Sequence, residues 1–214
     1  MKLRFVSAGA AQALVAASAR SAGIAVGGSF GAVGAMRERF LAGEPCDIVI
    51  LTRRQIDELA ARGLVLKDSI ADLGAVPTSI AVRASDSVPP ISDGPSLREA
   101  LLAADAIYFP DPAKATAGIH FNRVLEKLAI HATVASRIRT FPNGATAMRA
   151  MAEASGHPIG CTQATEIRAT PGVKLVAPLP PGFDLVTVYS GAVNAAASDA
   201  AVASRFLSGL ASRL

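Results

Sequence analysis

The sequence has no tryptophan, only two tyrosines and only two cysteines in 214 residues. With aromatics so scarce and no block of Lys and Arg beside them, there is no stacking platform along a basic groove, and nucleic-acid binding is not indicated. Cys46 and Cys161 fit neither a disulfide framework nor a metal spacing, and each reads as a small buried apolar residue. The apolar stretches are broken by Gln, Ser or Arg long before the ~20 residues that a membrane-spanning helix requires, so no membrane insertion is expected. The three histidines form no Ser–His–Asp order and no Cys–His pair, and no metal cluster is apparent. Neither a cofactor nor a metal is implied. What remains is a mild positive balance of +4, spread thinly over the chain, which suits a small anionic ligand.

Alternation of strand and helix signals dominates the first third. Residues 2–6 alternate polar and apolar as a strand does. Residues 7–10 are a small-residue turn, and residues 12–19 have helical composition that stops at Gly23. Residues 24–26 read as a second strand, 28–34 as a glycine-rich loop, 35–41 as a helix, 47–51 as a buried strand and 55–61 as a helix. This βαβαβ order predicts a parallel sheet covered by helices. The Pro- and Ser-rich stretch 85–95 reads as a boundary between lobes, giving residues 1–83 plus 188–214 as lobe 1 and 84–187 as lobe 2. Beyond it, Ser96 and Glu99 are spaced as a capping box opening a helix. Strands follow at 106–109, 137–141, 157–162 and 185–193. Helices follow at 119–128 and up to Met151, and a closing helix runs from Asp199 to Leu214.

The amino terminus has two readings. Two cations, an apolar run and Ala17-Ser18-Ala19 imitate a signal peptide with its cleavage site. Residues 2–23, however, supply the strand, turn and helix that the next two units repeat, and Gln12 interrupts the apolar run. The first βα unit is the preferred reading. The chain as it stands then carries no export signal, and a cytoplasmic protein is expected, or a periplasmic one if a leader has been removed.

Four loops share one design. Residues 7–11, 28–34, 111–118 and 142–146 each follow a strand, consist largely of Gly, Ala, Ser, Thr or Asn, and open a helix. Helix N-termini present free N–H groups and partial positive charge to anions, small residues let a ligand approach the backbone, and open α/β sheets bind ligands beyond the carboxyl ends of their strands. Two such loops in each lobe predict a ligand cleft between lobes.

"VGGSFGAVGAMRERFLAGEPCDIVILTRRQIDELAARGLV", "YFPDPAKATAGIHFNRVLEKLAI", "PNGATAMRAM" with "HPIGCTQATEI", and "VKLVAPLPPGFDLVTVYSGAV" resemble, in order, segments of the molybdate-binding proteins of ABC transporters. The resemblance implies an α/β, two-lobed type II periplasmic-binding-protein fold. Each lobe would be a mostly parallel sheet flanked by helices, with the ligand cleft between them. It further implies ligand contacts at Ser7, Ala8, Gly9 and Ala10, at Gly31, Ala32 and Val33, at Thr116, Ala117 and Gly118, at Asn143, Gly144, Ala145 and Thr146, and at Gln163. An ABC transporter permease is the implied partner. The chain departs from that family where it matters. Ala10 and Val33 stand where molybdate binders place serines, and Gln163 where they place a tyrosine. Each unmet hydrogen bond to a desolvated dianion costs ~1–3 kcal/mol, so an organic carboxylate is expected rather than molybdate.

Charged side chains offer further candidates. Arg53, after the strand at 47–51, is placed to fork onto a ligand carboxylate, and Arg54 and Arg83 are weaker alternatives, a salt bridge between lobes being the plainer role for Arg83. Some relatives of this family isomerise unsaturated polycarboxylic acids, as aconitate isomerase does. For that chemistry the candidate proton carriers are His120 and Glu166, set against a packing role for the first and helix-start electrostatics for the second.

Overall fold

The computed structural model describes residues 2–214. In chain order it begins with β1 (Lys2–Ala8), a 3₁₀ turn Gly9–Ala11, α1 (Gln12–Ala22), β2 (Ala25–Gly31), α2 (Val33–Leu41), β3 (Ile48–Thr52) and α3 (Arg53–Ala61). Next come β4 (Ala71–Arg83), α4 (Gly94–Ala103), β5 (Ile107–Pro110), α5 (Thr116–Lys127), α6 (His131–Val134), β6 (Ile138–Phe141), α7 (Gly144–Ala152), β7 (Ile159–Gln163), α8 (Ala164–Arg168) and β8 (Val173–Pro178). β9 (Val186–Val193) and α9 (Ala200–Ser208) complete the chain.

Two units result, Met1–Val76 with Thr187–Leu214, and Pro77–Val186. In the first, β1 lies between β2 and β3 in parallel register, and β9 joins β3 antiparallel. β1 buries alternate residues at its start and every residue from Phe5 onward. Ile48, Val49, Ile50 and Leu51 of β3 are all fully buried, the continuous apolar run of a strand covered on both faces. Leu3, Phe5, Val15, Ile50, Leu73, Val193 and Phe206 share one core. In the second unit β5 is parallel to both β6 and β7, while β4 runs antiparallel to β7 and β8. Its core gathers Ile80, Leu97, Leu101, Phe109, Phe121, Leu125 and Cys161. Each unit is thus a mixed sheet with a parallel trio, flanked by helices. Residues 2–22 are a paired central strand and its helix, as the βα reading expects.

Several boundaries differ from the sequence reading, each for a local reason. The chain changes unit inside β4, between Val76 and Pro77, earlier than the expected break at residue 83. The strand is continuous there and no linker is needed, Pro77 being the first residue of the second unit. Residues 85–95 lie wholly within the second unit, and that stretch ends in a helix cap. Asp93 Oδ1 accepts from Ser96 N (2.8 Å) and Asp93 N donates to Ser96 Oγ (3.1 Å), with Pro95 in the first turn. The capping box therefore pairs Ser96 with Asp93, not with Glu99. The expected loop at 28–34 is mostly strand, because β2 stays in register with β1 as far as Ala8 opposite Gly31. Glycines hide it, having neither β-propensity nor a side chain to alternate. Asp199 caps α9 through Val202 N, and that helix stops at Ser208, short of the expected Leu214.

Candidate ligand-binding site

The parallel strands of the first unit lead into helices whose first N–H groups lack a capping side chain. In the first unit Ser7 and Ala8 close β1, and Gly9 and Ala10 form the 3₁₀ turn into α1. Gly31 closes β2, Ala32 is the N-cap of α2 and Val33 its first residue. Ala8, Ala11 and Ala32 occupy cap positions and make no side-chain bond there. The Ser7 hydroxyl is buried and donates to its neighbour's carbonyl, Ala8 O (3.0 Å). Alanine cannot accept from the first-turn N–H groups, and relative to Ser, Asn or Asp this costs about 1 kcal/mol per helix.

The second unit repeats the arrangement once and breaks it once. Ala115 is the N-cap of α5 and makes no side-chain bond, and Thr116, Ala117 and Gly118 form the first turn rather than the loop the sequence suggested. Gly118 packs against the carbonyls of Pro110 and Asp111, and a Cβ there would lie 2.7 Å from Asp111 C. At α7 the helix N-terminus is already filled. Asn143 Oδ1 accepts from Thr146 N (2.9 Å). The carboxylate of Glu166, fully within the fold, accepts from Thr162 Oγ1 (2.6 Å) and from the backbone N–H groups of Ala145, Gln163 and Gly144. Gly144 is obligatory here, since a Cβ would meet Thr162 Oγ1 and Glu166 Oε2. Of the residues expected to meet a ligand here, Gly144, Ala145 and Thr146 therefore have their N–H groups bonded within the chain. Burial pushes the Glu166 carboxyl above the usual range, and its four donors pull the other way without reversing the shift. Replacing Asn143 by Ala is expected to lower stability by about 1 kcal/mol, read as a shift in the denaturant midpoint at unchanged slope.

The other candidates are engaged within their own units. Arg53 Nε lies 3.0 Å from Asp57 Oδ1 and its Nη1 3.1 Å from Asp72 Oδ1. Ser190 Oγ donates to the same Asp72 (2.6 Å), and together Ser190 and Arg53 hold that carboxyl below its usual range. The carboxylates on which Arg53 forks are thus its own chain's. Arg54 is exposed and pairs with Glu58. Arg83 pairs with Asp86 (2.8 Å) and donates to Ala154 O (2.6 Å), all inside the second unit, so the expected bridge between lobes is not its role. His120 Nε2 sits 2.7 Å from Phe183 O, a packing contact. His131 meets Asn122 Oδ1 (3.0 Å), and His157 is exposed. Both cysteines are free and buried, and burial raises the Cys46 thiol to about 11. Among the described residues, no three His, Cys, Asp or Glu side chains are grouped to hold a metal ion.

Gln163 ends β7, beside the carboxyl end of the parallel β5. It is 3% exposed, and neither its Nε2 nor its Oε1 has a hydrogen-bond partner in the chain.

Parallel strands that lead into helix N-termini are the frame on which many α/β proteins bind their ligands. Residues 4–213 match the family model of the bacterial extracellular solute-binding proteins, and this chain belongs to that family. Its fold is that of the type II periplasmic binding proteins. It superposes on the periplasmic molybdate-binding protein of Azotobacter vinelandii with a TM-score of 0.75 at 19% identity, covering 97% of this chain and 92% of that one. Against the sulfate-binding protein SubI of Mycobacterium tuberculosis H37Rv the TM-score is 0.70 at 20% identity, with 98% and 81% covered. In sequence it is 30% identical over 183 residues to an aconitate isomerase of a Pseudomonas species, covering 84% of this chain and 67% of that protein. Among the described residues, no helix is long and apolar enough to cross a membrane.

Proposed function

We propose that this solute-binding protein takes up a small organic carboxylate and hands it to the permease of an ABC transporter. The observation that carries the reading is the set of helix starts capped by alanine, at Ala8 and Ala11, Ala32 and Ala115. Asp93, Asn143 and Asp199 cap three other helices, and α3, α6 and α8 likewise start without a side-chain cap. N–H donors left uncapped at strand carboxyl ends suit an acceptor brought by a ligand. Ala10 and Val33 bring no hydroxyl to them, which suits a ligand with a carbon skeleton better than a bare tetrahedral oxyanion. Native mass spectrometry of the freshly purified protein is expected to reveal a bound acid. Calorimetry is expected to show micromolar binding of a di- or tricarboxylate, about 8 kcal/mol, and weak or no binding of molybdate and sulfate. Tight molybdate binding without any carboxylate binding would overturn the reading.

The likeness to an aconitate isomerase supports a second reading, isomerisation of an unsaturated polycarboxylic acid. That chemistry needs a group free to move a proton next to a carboxylate-bearing carbon. Here His120 bonds a backbone carbonyl and Glu166 is held by four donors, and this favours binding. Mixing the protein with cis- or trans-aconitate and following the ultraviolet spectrum separates the two readings: a progressive change means turnover, and a static spectrum means binding.

A further inference from the structure

Thr78 and Gln163 are directly opposed partners in the antiparallel pair of β4 and β7. Opposed residues of such a pair share one face of the sheet, with Cβ atoms about 4.5–5.5 Å apart. Thr78 is fully buried and Gln163 is 3% exposed. The Thr78 hydroxyl and both polar atoms of the Gln163 amide lack a hydrogen-bond partner within the chain. The backbone of Thr78 is fully used, its N–H donating to Leu185 O (2.8 Å) and its carbonyl accepting from Leu179 N (3.1 Å). Three residues along from Gln163, the Glu166 carboxyl accepts from four donors. The region is therefore well supplied with hydrogen bonds, yet the side chains of Thr78 and Gln163, like the Thr165 hydroxyl on the next helix, lack one. Buried polar groups in native proteins are nearly always paired, and each exception calls for a partner that the chain does not itself supply.

We propose that Thr78 and Gln163 form a specificity element that reads a hydroxyl group, so that the ligand is a hydroxycarboxylate. The inference rests on the carboxylate reading above. A carboxamide presents a donor, Nε2, beside an acceptor, Oε1. A fully ionised oxyanion offers acceptors alone, so it meets Nε2 and the threonine hydroxyl but sets its lone pairs against Oε1. A carboxylate that carries a neighbouring hydroxyl offers both. Its oxygen accepts from Nε2, and its O–H donates to Gln163 Oε1 or exchanges a bond with Thr78 Oγ1. A site built to bond a hydroxyl rejects the analogue lacking it far more strongly than an apolar pocket does, because its own groups are then left unpaired.

The test is calorimetry with pairs of acids that differ by one hydroxyl: citrate against tricarballylate, and malate against succinate. The wild-type protein is expected to prefer the hydroxylated member of a bound pair at least tenfold. Gln163→Met and the isosteric Thr78→Val are each expected to shrink that ratio toward one. Both variants should melt, without ligand, no lower than the wild type, since each removes a group that has no partner in the chain. A ratio near one in the wild type, or a ratio that neither variant changes, overturns the inference and assigns the amide to a buried water alone. If carboxylates bind without hydroxyl preference, the inference fails and the carboxylate reading stands. If no carboxylate of either kind binds, both fall.

Discussion

Gly28→Ala is expected to remove about 4 kcal/mol of stability and to lower the melting temperature by roughly 10 °C, at ~2–4 °C per kcal/mol for a chain of this size. Gly28 lies in β2 at φ +124°, a conformation that a residue with a Cβ rarely adopts. Holding alanine there costs of order 1–3 kcal/mol. Space adds to this, since the new methyl would overlap the backbone oxygen of Phe5 and lie 2.6 Å from its nitrogen. Phe5 is fully buried in the central strand, stacked on Phe30 and edge-on to Phe206, so its backbone has little freedom to withdraw. Gly27→Ala is the control. Its methyl meets only the far end of the Lys2 side chain, which is free to swing away, and a change within about 1 kcal/mol is expected. Thermal melts of the two variants side by side check the argument. Equal losses would mean that neither the φ of Gly28 nor the close β1–β2 approach sets the requirement.

That pair of glycines also shows where sequence reading succeeds and where it fails. The buried strand read at 47–51 and the alternation from Lys2 onward were legible because burial writes itself into side chains. The glycines of β2 carry no side chain to write with, so strand looked like loop. The division of β4 was missed, although Gly74 and Pro77 stand close to the crossing. The family resemblance carried the fold and the order of the loops. It could not show that α7 is closed by the chain itself, because Glu166 reaches Gly144 and Ala145 through tertiary structure. One local signal was available. Gln163 and Glu166 stand three residues apart at a helix start, the spacing at which a glutamate returns to the N–H of the capping residue. Thr78 was missed as a site residue. A trace of it lies in Thr78 and Ser79, a fully buried polar pair inside β4.

The two kinds of helix start divide the site more sharply than loop composition did. Small residues mark α1, α2, α5 and α7 alike, yet α7 has Asn143 and Glu166 as acceptors while the alanine-capped starts have none. The distinction is chemical: at α7 the chain's own side chains meet the first-turn donors, and at the alanine-capped starts no side chain does.

Replacing Glu166 by Ala is expected to lower stability by about 3–5 kcal/mol. The change strands the N–H groups of Gly144, Ala145 and Gln163 and the Thr162 hydroxyl, each buried orphan costing about 1–3 kcal/mol before water relieves some of them, and it leaves a void besides. Glu166→Gln should cost less, about 1–2 kcal/mol, because one carbonyl still accepts while the new NH2 faces donors. The pH dependence separates hydrogen bonding from charge. Burial raises the Glu166 carboxyl above its unfolded value, so the folded chain holds this proton more tightly than the unfolded chain does. Stability from this source is then complete below the ordinary carboxylate range and is lost as pH rises through the raised value. Asp72, Asp86 and Asp93 titrate in the opposite sense, each held below its usual range by its own partners, so the wild type alone would mask the effect. The difference between wild type and Glu166→Gln removes it, since those three groups are common to both proteins. Denaturant titrations across the acidic to neutral range should show the wild-type advantage greatest in acid, shrinking toward neutrality and then level. An advantage that grows with pH would mean that the helix N-terminus and its donors outweigh the burial of the charge, and that the carboxylate sits there as a favoured anion.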